Sequence, residues 1–258
     1  DMHHALVVSS DTYFYSLGPE IGVNALHDFM KPFGFGQLTG VDIEGERRGV
    51  LPSIEWKRAA YKTRDQQRWY AGETVSVAVG QGYNAFTLMQ LAQATAVLAN
   101  DGAYMKPHLL RSTRDSLSGE QTMIEPETTH TIELKRENLD VIRRALVDVT
   151  LSGTASQAFA GAPYQTAGKT GTAQVYSLRG AKYQSSAIDE RLRDHALFMA
   201  YAPAKQPKIA VAVLVENAGW GGSIAAPIAR KVFDAWLLRD QKTGPAAAGN
   251  VPSPRGAR

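Results

Sequence analysis

The run Ile209–Val215, "IAVAVLV", is apolar at every position and restricts the fold more than any other segment. A half-buried strand alternates apolar and polar residues, whereas a strand buried on both faces is a continuous apolar run. The run therefore predicts a strand in a sheet that lies between layers of helices. Turn or loop material separates three strand-like segments, which are "YQTAGKTGTAQV" (164–175), "HALFMAYAP" (195–203) and "KIAVAVLVE" (208–216).

Apolar residues recur at helical spacing in four other segments. These segments are 21–34, 86–102, 137–153 and 221–238. In the second segment, Thr87 is the expected N-cap, and Asn100-Asp101-Gly102 is typical of a helix end. The chain is therefore predicted to contain both helices and a sheet.

The last of these helices is expected to pack on one face of the sheet. Ser223 is its expected N-cap, and Pro227 falls in the first turn, where proline is tolerated. Its expected apolar stripe consists of Ile224, Ile228, Val232 and Trp236.

The composition excludes several kinds of protein. The chain has 258 residues, 44% hydrophobic and 21% charged, as in one large or two small globular domains. The net charge is +3 without a block of Lys or Arg, so nucleic-acid binding has little support. The absence of cysteine excludes disulfides and thiolate chemistry. The sequence also contains no run of 18 apolar residues, which is the length needed to span a membrane. Residues 239–258 are rich in Pro, Gly and Ala and are expected to form a mobile tail.

The stretch "TAGKTGTAQV" (166–175) places Lys169 among small residues inside a predicted strand. Gly168, Lys169 and Thr170 could end a phosphate-binding loop of the form G-x-x-x-x-G-K-[ST]. The first glycine of that pattern would fall on Pro163, which has no N–H to donate to a phosphate. The nucleotide-binding interpretation is therefore disfavoured.

A catalytic strand would explain the small residues better. Gly168 and Gly171 would let a substrate backbone approach closely, while Lys169 supplies a positive charge. Thr170 and Thr172 supply hydroxyl donors, and the Thr172 N–H can face a developing oxyanion. The alternative is that Lys169 is an ordinary solvated lysine on an edge strand.

The start of the chain offers a second candidate motif. Ser9, Ser10 and Asp11 lie between an apolar and an aromatic run, where they could simply cap a helix. Enzymes that recognise penicillin carry S-x-x-K, then S-D-N or a relative, then K-T-G. Ser9-x-Asp11 and Lys169-Thr170-Gly171 match the second and third motifs in that order.

Longer stretches extend this match. They are "VSSDTYFYSLG", "FGFGQLTGVDI", "WYAGETVSVAVGQGYNAFTLMQLAQATAVLANDG", "AGKTGTAQV" and "HALFMAYAP". Over roughly residues 1–238 the chain resembles the transpeptidase domain of class B penicillin-binding proteins. Asp11 followed by "TYFY" is similar to the elongation-specific members, since division-specific members usually have Asn at that position.

The resemblance implies an α/β (α+β) fold of the penicillin-binding and β-lactamase type. Its mainly antiparallel sheet is covered by helices on both faces and adjoins a helical subdomain. One departure stands out, because no serine in the chain has a lysine three residues later, and Ser53 and Lys57 are four apart. In this family the S-x-x-K motif precedes the second motif. We therefore expect the nucleophilic serine, its lysine and a membrane anchor to precede this sequence.

The resemblance also implies a peptidoglycan D,D-transpeptidase that acts through a serine acyl-enzyme and is a target of β-lactam antibiotics. Ser9 would relay a proton to the leaving nitrogen, Asp11 would orient the lysines, and Lys169 would attract the substrate carboxylate. The residues implied to bind substrate are Thr170, Gly171 and Thr172. No cofactor and no metal are expected.

The implied partners are peptidoglycan stem peptides, a glycosyltransferase of the SEDS type and other proteins of the elongation complex. The implied location is the periplasmic side of the bacterial inner membrane. Two alternatives remain on the same fold: a β-lactam sensor domain, and a D,D-carboxypeptidase or β-lactamase.

The remaining polar features carry less weight. His3 and His4 are adjacent, which is not a metal-ligand spacing, and His195 is expected to be structural. Residues 183–193 are expected to form a loop at the mouth of the cleft, where they could either meet substrate or serve only as a connection.

Overall fold

The structure is a computed structural model that describes residues 1–175 and 189–239. The expected tail therefore lies outside the described residues except for Arg239, and so does most of the expected loop at 183–193. The described helices are α1 (Met2–Val8), α2 (Asp11–Ile21), α3 (Val23–Met30), α4 (Ile54–Ala60), α5 (Arg64–Gln67), α6 (Ala71–Ala78), α7 (Leu88–Ala99), α8 (Arg136–Leu151), α9 (Ser156–Phe159) and α10 (Ala225–Leu237). The described strands are β1 (Ala103–Met105), β2 (Ser112–Arg114), β3 (Gln121–Met123), β4 (Thr128–Thr131), β5 (Ala167–Ala173), β6 (His195–Ala202) and β7 (Ile209–Val215). Short 3₁₀ helices span Lys31–Phe33 and Glu190–Leu192.

The three predicted strands form one antiparallel sheet in the order β5-β6-β7. Its register places Lys169 opposite Met199 and Phe198 opposite Val213. Two small antiparallel pairs, β1-β4 and β2-β3, lie apart from it.

Helices lie against both faces of this sheet. Alternate side chains of β6, including Phe198, share a buried core with Phe233 of α10. The intervening side chains, including Leu197 and Met199, share an apolar cavity with Leu91 of α7. Successive strand residues point to opposite faces, so α10 and α7 cover opposite sides, as predicted.

The burial predicted for β7 is wrong, because every residue of the strand is only half-buried. In the described part of the chain β7 pairs with β6 alone and forms an edge of the sheet. Its apolar composition therefore reflects contact with helices on two sides without the second neighbouring strand that would complete its burial.

The contact face of α10 also differs from the prediction. Its fully buried face consists of Ala225, Ala226, Ala229 and Phe233. The predicted stripe lies outside, with Ile224, Ile228, Val232 and Trp236 between 37% and 48% exposed. Three alanines bring the helix backbone close to the sheet, which the larger side chains could not do. Ser223 does not cap the helix, because Ile224 is the N-cap and the Ser223 hydroxyl donates to the Trp220 carbonyl.

Helix α7 begins and ends as predicted. The Thr87 hydroxyl accepts from the Gln90 N–H at 3.2 Å, and the Gln90 side chain accepts from the Thr87 N–H at 3.0 Å. This reciprocal capping box fixes the start of the helix. Its end coincides with positive φ angles of 51° at Asp101 and 91° at Gly102.

Helices α2 to α6 form a helical part beside the sheet. Helix α2 approaches α6 closely, since a Cβ on Gly18 would lie 2.3 Å from that of Ala78. A second buried core, which includes Phe35, Leu51 and Val97, joins this part to α7. This is the predicted adjoining helical subdomain. Among the described residues, no helix has the length and hydropathy to cross a membrane.

Candidate active site

A cleft of about 850 Å³ lies where strand β5 meets the start of helix α2. All six residues predicted for the site line it, namely Ser9, Asp11, Lys169, Thr170, Gly171 and Thr172. The turn after α6, the segment around Thr154 and the segment Trp220–Ser223 complete its walls. The structure thus brings together two motifs that are about 160 residues apart in the chain.

Ser9 ends helix α1 in the left-handed conformation, with φ 56° and ψ 54°. Residues other than glycine rarely adopt this conformation, and strained backbone concentrates at functional sites. The Ser9 hydroxyl accepts a hydrogen bond from the Lys169 ammonium at 2.7 Å. Contrary to the alternative interpretation, Ser9 therefore does not cap the helix that follows. Ser10 is the N-cap residue of α2 but makes no side-chain capping bond, and Asp11 is the first helical residue.

Lys169 is half-buried and uses two of its three ammonium hydrogens within the cleft. Its ammonium donates to the Ser9 hydroxyl and, at 3.0 Å, to the Thr170 carbonyl. Burial lowers the pKa of Lys169 from 10.5 to about 8, against the opposing effect of the Asp11 charge. Lys169 is thus not a solvated edge-strand lysine, and it remains mostly cationic at neutral pH.

The threonines lie on the other face of β5. The hydroxyls of Thr170 and Thr154 are 2.7 Å apart. The backbone of Gly222 is also close, because a Cβ there would lie 3.5 Å from the Thr170 methyl group. The Thr170 side chain is therefore held in one position at the cleft wall.

Gly168 has a different role from the predicted one. A Cβ on Gly168 would lie 2.6 Å from the Phe198 ring and 2.8 Å from the Ala200 side chain. A Cβ on Gly171 would meet Leu197 at 3.3 Å. Gly168 therefore serves packing within the sheet, whereas Gly171 also lines the cleft, where its part in substrate binding stays a prediction.

Sequence reasoning assigned no role to Gln81, which also lines the cleft. Its side-chain amide donates to the Thr172 carbonyl at 2.7 Å and accepts from the Gln174 N–H at 3.4 Å. In a strand, the N–H and C=O of one residue point to the same side. The Thr172 N–H therefore points to the same free edge of β5 as its carbonyl. The signals in the sequence were the two glycines that flank Gln81 and the family-like stretch in which it lies.

The histidines have structural partners. His3 contacts the Asp148 carboxylate at 2.9 Å, and the His195 ring accepts from the Asn217 N–H at 2.9 Å. No group of three or more His, Cys, Asp or Glu side chains within residues 1–175 and 189–239 could hold a metal ion.

Comparison with known protein families identifies the fold. The model of the penicillin binding protein transpeptidase domain matches residues 1–234. The chain belongs to this transpeptidase family. The family resemblance predicted from the motifs is thereby confirmed.

Individual family members agree with this assignment. The chain is 43% identical over 243 residues to the peptidoglycan D,D-transpeptidase MrdA of Acinetobacter baumannii, covering 94% of this chain and 35% of that protein. The crystal structure of Pseudomonas aeruginosa PBP2 in complex with WCK 5153 matches with a TM-score of 0.76 and 41% identity, over 92% of this chain and 49% of that one. PBP2 from Helicobacter pylori, in its complex with MreC, matches with a TM-score of 0.73 and 28% identity, over 92% of this chain and 40% of that one.

These members of the transpeptidase family are longer than this chain. The chain spans between 35% and 38% of the length of the first three curated relatives it matches. The similarity therefore concerns one part of those proteins.

Proposed function

We propose that this chain is the C-terminal part of a peptidoglycan D,D-transpeptidase that cross-links stem peptides during cell-wall elongation. The observation that carries the proposal is the hydrogen bond between Lys169 and Ser9, which joins two family motifs in one cleft. Because the Ser9 oxygen accepts from Lys169, its own hydroxyl hydrogen is available for a second acceptor.

The nucleophilic serine belongs, in this proposal, to a segment that precedes Asp1. Two observations support it: the chain contains no S-x-x-K, and it spans about a third of its curated relatives. An apolar cavity of about 1260 Å³ beside β5 is lined by Leu197, Met199 and also Lys169. A segment packed there would reach the cleft beside the Lys169 ammonium.

The reaction is acyl transfer in two steps. The serine oxygen attacks the carbonyl carbon of the D-Ala–D-Ala bond, an ester forms, and the C–N bond breaks. The lysine of the preceding segment takes the proton of the attacking serine hydroxyl, and the leaving nitrogen of D-alanine receives a proton through Ser9. An amine of a neighbouring stem peptide then attacks the ester, a new C–N bond forms, and the serine hydroxyl is restored.

The residues of this chain bind and orient the substrate. The Lys169 cation attracts the terminal carboxylate, and Asp11 keeps Lys169 protonated by its negative charge. Thr170 and Thr172 donate hydroxyl hydrogen bonds to the carboxylate, while the Thr172 N–H faces the oxyanion that develops in each step. β-Lactams would enter the same cleft as mimics of the D-Ala–D-Ala terminus.

The partners follow the same proposal. PBP2 of Helicobacter pylori forms a complex with MreC, and another matching structure belongs to a peptidoglycan synthase complex that coordinates polymerization and crosslinking. We propose a corresponding elongation complex here, with a glycosyltransferase of the SEDS type. Its place would be the periplasmic side of the inner membrane, to which a preceding anchor holds it.

The test uses the longer protein that contains this chain and its preceding segment. A stem peptide ending in D-Ala–D-Ala and an amine acceptor peptide are added, and products are followed by mass spectrometry. We expect one D-alanine released for each cross-link, and no reaction after treatment with penicillin. Release without cross-links indicates a carboxypeptidase, adduct formation without release indicates a sensor, and rapid penicillin turnover indicates a β-lactamase. Each of these results would contradict the proposal.

The source of the nucleophile has its own test. Residues 1–258 alone should not form a covalent adduct with a fluorescent penicillin, whereas the longer protein should be labelled at a serine before Asp1. Stoichiometric labelling of residues 1–258 would contradict this part of the proposal.

A further inference from the structure

Gln81 lies in a turn whose backbone is fixed on both sides. Its N–H donates to the Ser76 carbonyl at 3.0 Å, and its carbonyl accepts from the Asn84 side chain at 3.1 Å. The flanking residues Gly80 and Gly82 have φ angles of 80° and 68°, which side chains rarely allow. The Gln81 side chain therefore extends from a backbone that is held in place.

A buried ion pair stabilises the same turn. Tyr83 donates to the Glu73 carboxylate at 2.7 Å, and Glu73 is in direct contact with the buried Lys57 ammonium. Tyr83 follows Gln81 by two residues. The turn is therefore tied to helices α4 and α6 and not only to its own hydrogen bonds.

The amide of Gln81 occupies the free edge of β5 as a neighbouring strand would. It donates to Thr172 and accepts from Gln174, two residues that present their backbone groups on the same side. Only one orientation of the amide satisfies both bonds, since a carbonyl accepts and an N–H donates. Within the described residues β5 pairs with β6 alone, so this edge is otherwise open.

Some backbone groups on the free edge of β5 already have a hydrogen-bond partner, whereas others remain available to a ligand. The Thr170 carbonyl accepts from Lys169, and the Thr172 carbonyl accepts from Gln81. The Thr172 N–H lies on the same edge and is directed at the cleft. A ligand that pairs with this edge finds its last available donor at Thr172.

We propose that Gln81 is a positioning residue for acyl transfer, which holds the Thr172 peptide and sets the register of an acyl ligand along β5. This proposal rests on the proposed function. The ligand class is an extended peptide or β-lactam whose acyl carbonyl accepts from the Thr172 N–H. Without the Gln81 amide, the ligand can shift by two residues, so that its carbonyl meets the Gln174 N–H and moves away from the nucleophile.

The first test replaces Gln81 by methionine in the longer protein. The methionine has a similar length but neither donates nor accepts here. We expect the rate constant of acylation by penicillin to fall at least roughly ten- to a hundredfold, because a displacement of only about 1 Å already has effects of that order and a shift by two residues is larger. The non-covalent dissociation constant should change far less, since a shifted ligand still binds. Equal loss of affinity and rate, together with a lower melting temperature, would indicate a merely structural role.

A second variant separates hydrogen bonding from packing. Gln81→Glu introduces a carboxyl that can donate to the Thr172 carbonyl only when protonated. Its acylation rate, expressed relative to wild type at each pH, should therefore rise as the pH is lowered, whereas that of Gln81→Met should stay constant. The comparison with wild type is needed because other charged or ionisable groups lie nearby, namely Asp11 and Lys169 in the cleft and Glu73 and Tyr83 beside the turn. A flat ratio for Gln81→Glu would overturn the proposal.

The matched control is Gln121→Met on strand β3, where Gln121 is exposed and remote from the cleft sheet. It should acylate at the wild-type rate. Amide hydrogen exchange at Gln174 provides a readout that does not depend on activity, and Gln81→Met should accelerate it. Unchanged exchange would overturn the proposal even in an inactive protein, whereas absent acylation of the wild type would overturn only the proposed function.

Discussion

Lys57 and Lys169 are both withdrawn from water, yet their surroundings differ in kind. Burial alone would lower the pKa of Lys57, but its contacts with Glu73 and Tyr83 more than reverse this, so its pKa is raised. Burial lowers the pKa of Lys169 to about 8, because its direct partners are a hydroxyl and a carbonyl and only Asp11 opposes the shift. A carboxylate in contact makes a lysine structural, whereas neutral partners leave its charge available to a ligand.

The environment of Lys57 supports this distinction. Its ammonium donates to the Arg68 carbonyl at 2.8 Å and lies 5.2 Å from the ring centre of Tyr70 and 5.3 Å from that of Tyr83. With all directions occupied, Lys57 has no exposed face for a ligand. Lys169 instead opens on the cleft.

The largest expected effect comes from breaking the structural lysine. Lys57→Met leaves the Glu73 carboxylate partly buried without its cation, and we expect the free energy of unfolding to fall by about 3 kcal/mol. Urea denaturation of both proteins measures this free energy. The control is Lys106→Met, whose partner Glu127 is 3.5 Å away with both side chains at least half exposed, and which should change stability by less than about 0.5 kcal/mol. Equal losses of unfolding free energy in the two variants would contradict the structural role of Lys57.

Removing the cleft lysine should lower the rate of acylation strongly and the stability only slightly. Lys169→Ala in the longer protein should slow acylation by a β-lactam roughly ten- to a hundredfold, because a charge-assisted contact contributes about 1.5–3 kcal/mol. Its stability should change far less than that of Lys57→Met. Stopped-flow acylation rates and urea denaturation of the same samples provide both numbers, with the exposed Lys208→Ala as the control. Acylation of Lys169→Ala at the wild-type rate would end its assignment to the site.

Asp11 tests how the cleft lysine is tuned. Its negative charge raises the pKa of Lys169, so Asp11→Asn should move the pH profile of acylation to lower pH while keeping the hydrogen-bonding shape. Asp11→Ala should lose most activity at every pH, since it removes the orienting group as well. Superimposable profiles of wild type and Asp11→Asn would show that the charge has no part in the chemistry.

A smaller effect concerns stability and pH. The pKa of folded Lys169, about 8, lies below its ordinary 10.5, so the folded state holds fewer protons between these values. Its contribution to stability is therefore present above pH 10.5 and is lost as the pH falls through about 8. Lys57, with a raised pKa, contributes in the opposite sense, below its ordinary value. As the pH rises from about 7 to about 9, the free energy of unfolding of the wild type should consequently increase relative to that of Lys169→Met. A difference independent of pH would contradict this.

The sequence predicted the parts of the molecule that depend on local pattern. The three strands and the capping of α7 followed from local pattern, and the convergence of Ser9 with Lys169 was implied by the family resemblance of the two motifs. The inner face of α10 did not, because the helix has two apolar faces and only packing selects the alanines. Nor did the bond between Gln81 and Thr172, which are 91 residues apart in the chain. Such bonds depend on tertiary placement that no local pattern records.

The assignment of the cleft depends most on the protonation of the Lys169 side chain beside Ser9. Labelling lysine side chains with ¹³C at Cε and assigning the two resonances through Lys57→Met and Lys169→Met allows both to be titrated by NMR in one sample. We predict a midpoint of about 8 for Lys169 and none for Lys57 below its ordinary 10.5. A Lys169 midpoint at 10.5 or above would show an ordinary solvated or ion-paired lysine and would contradict the assignment of this cleft.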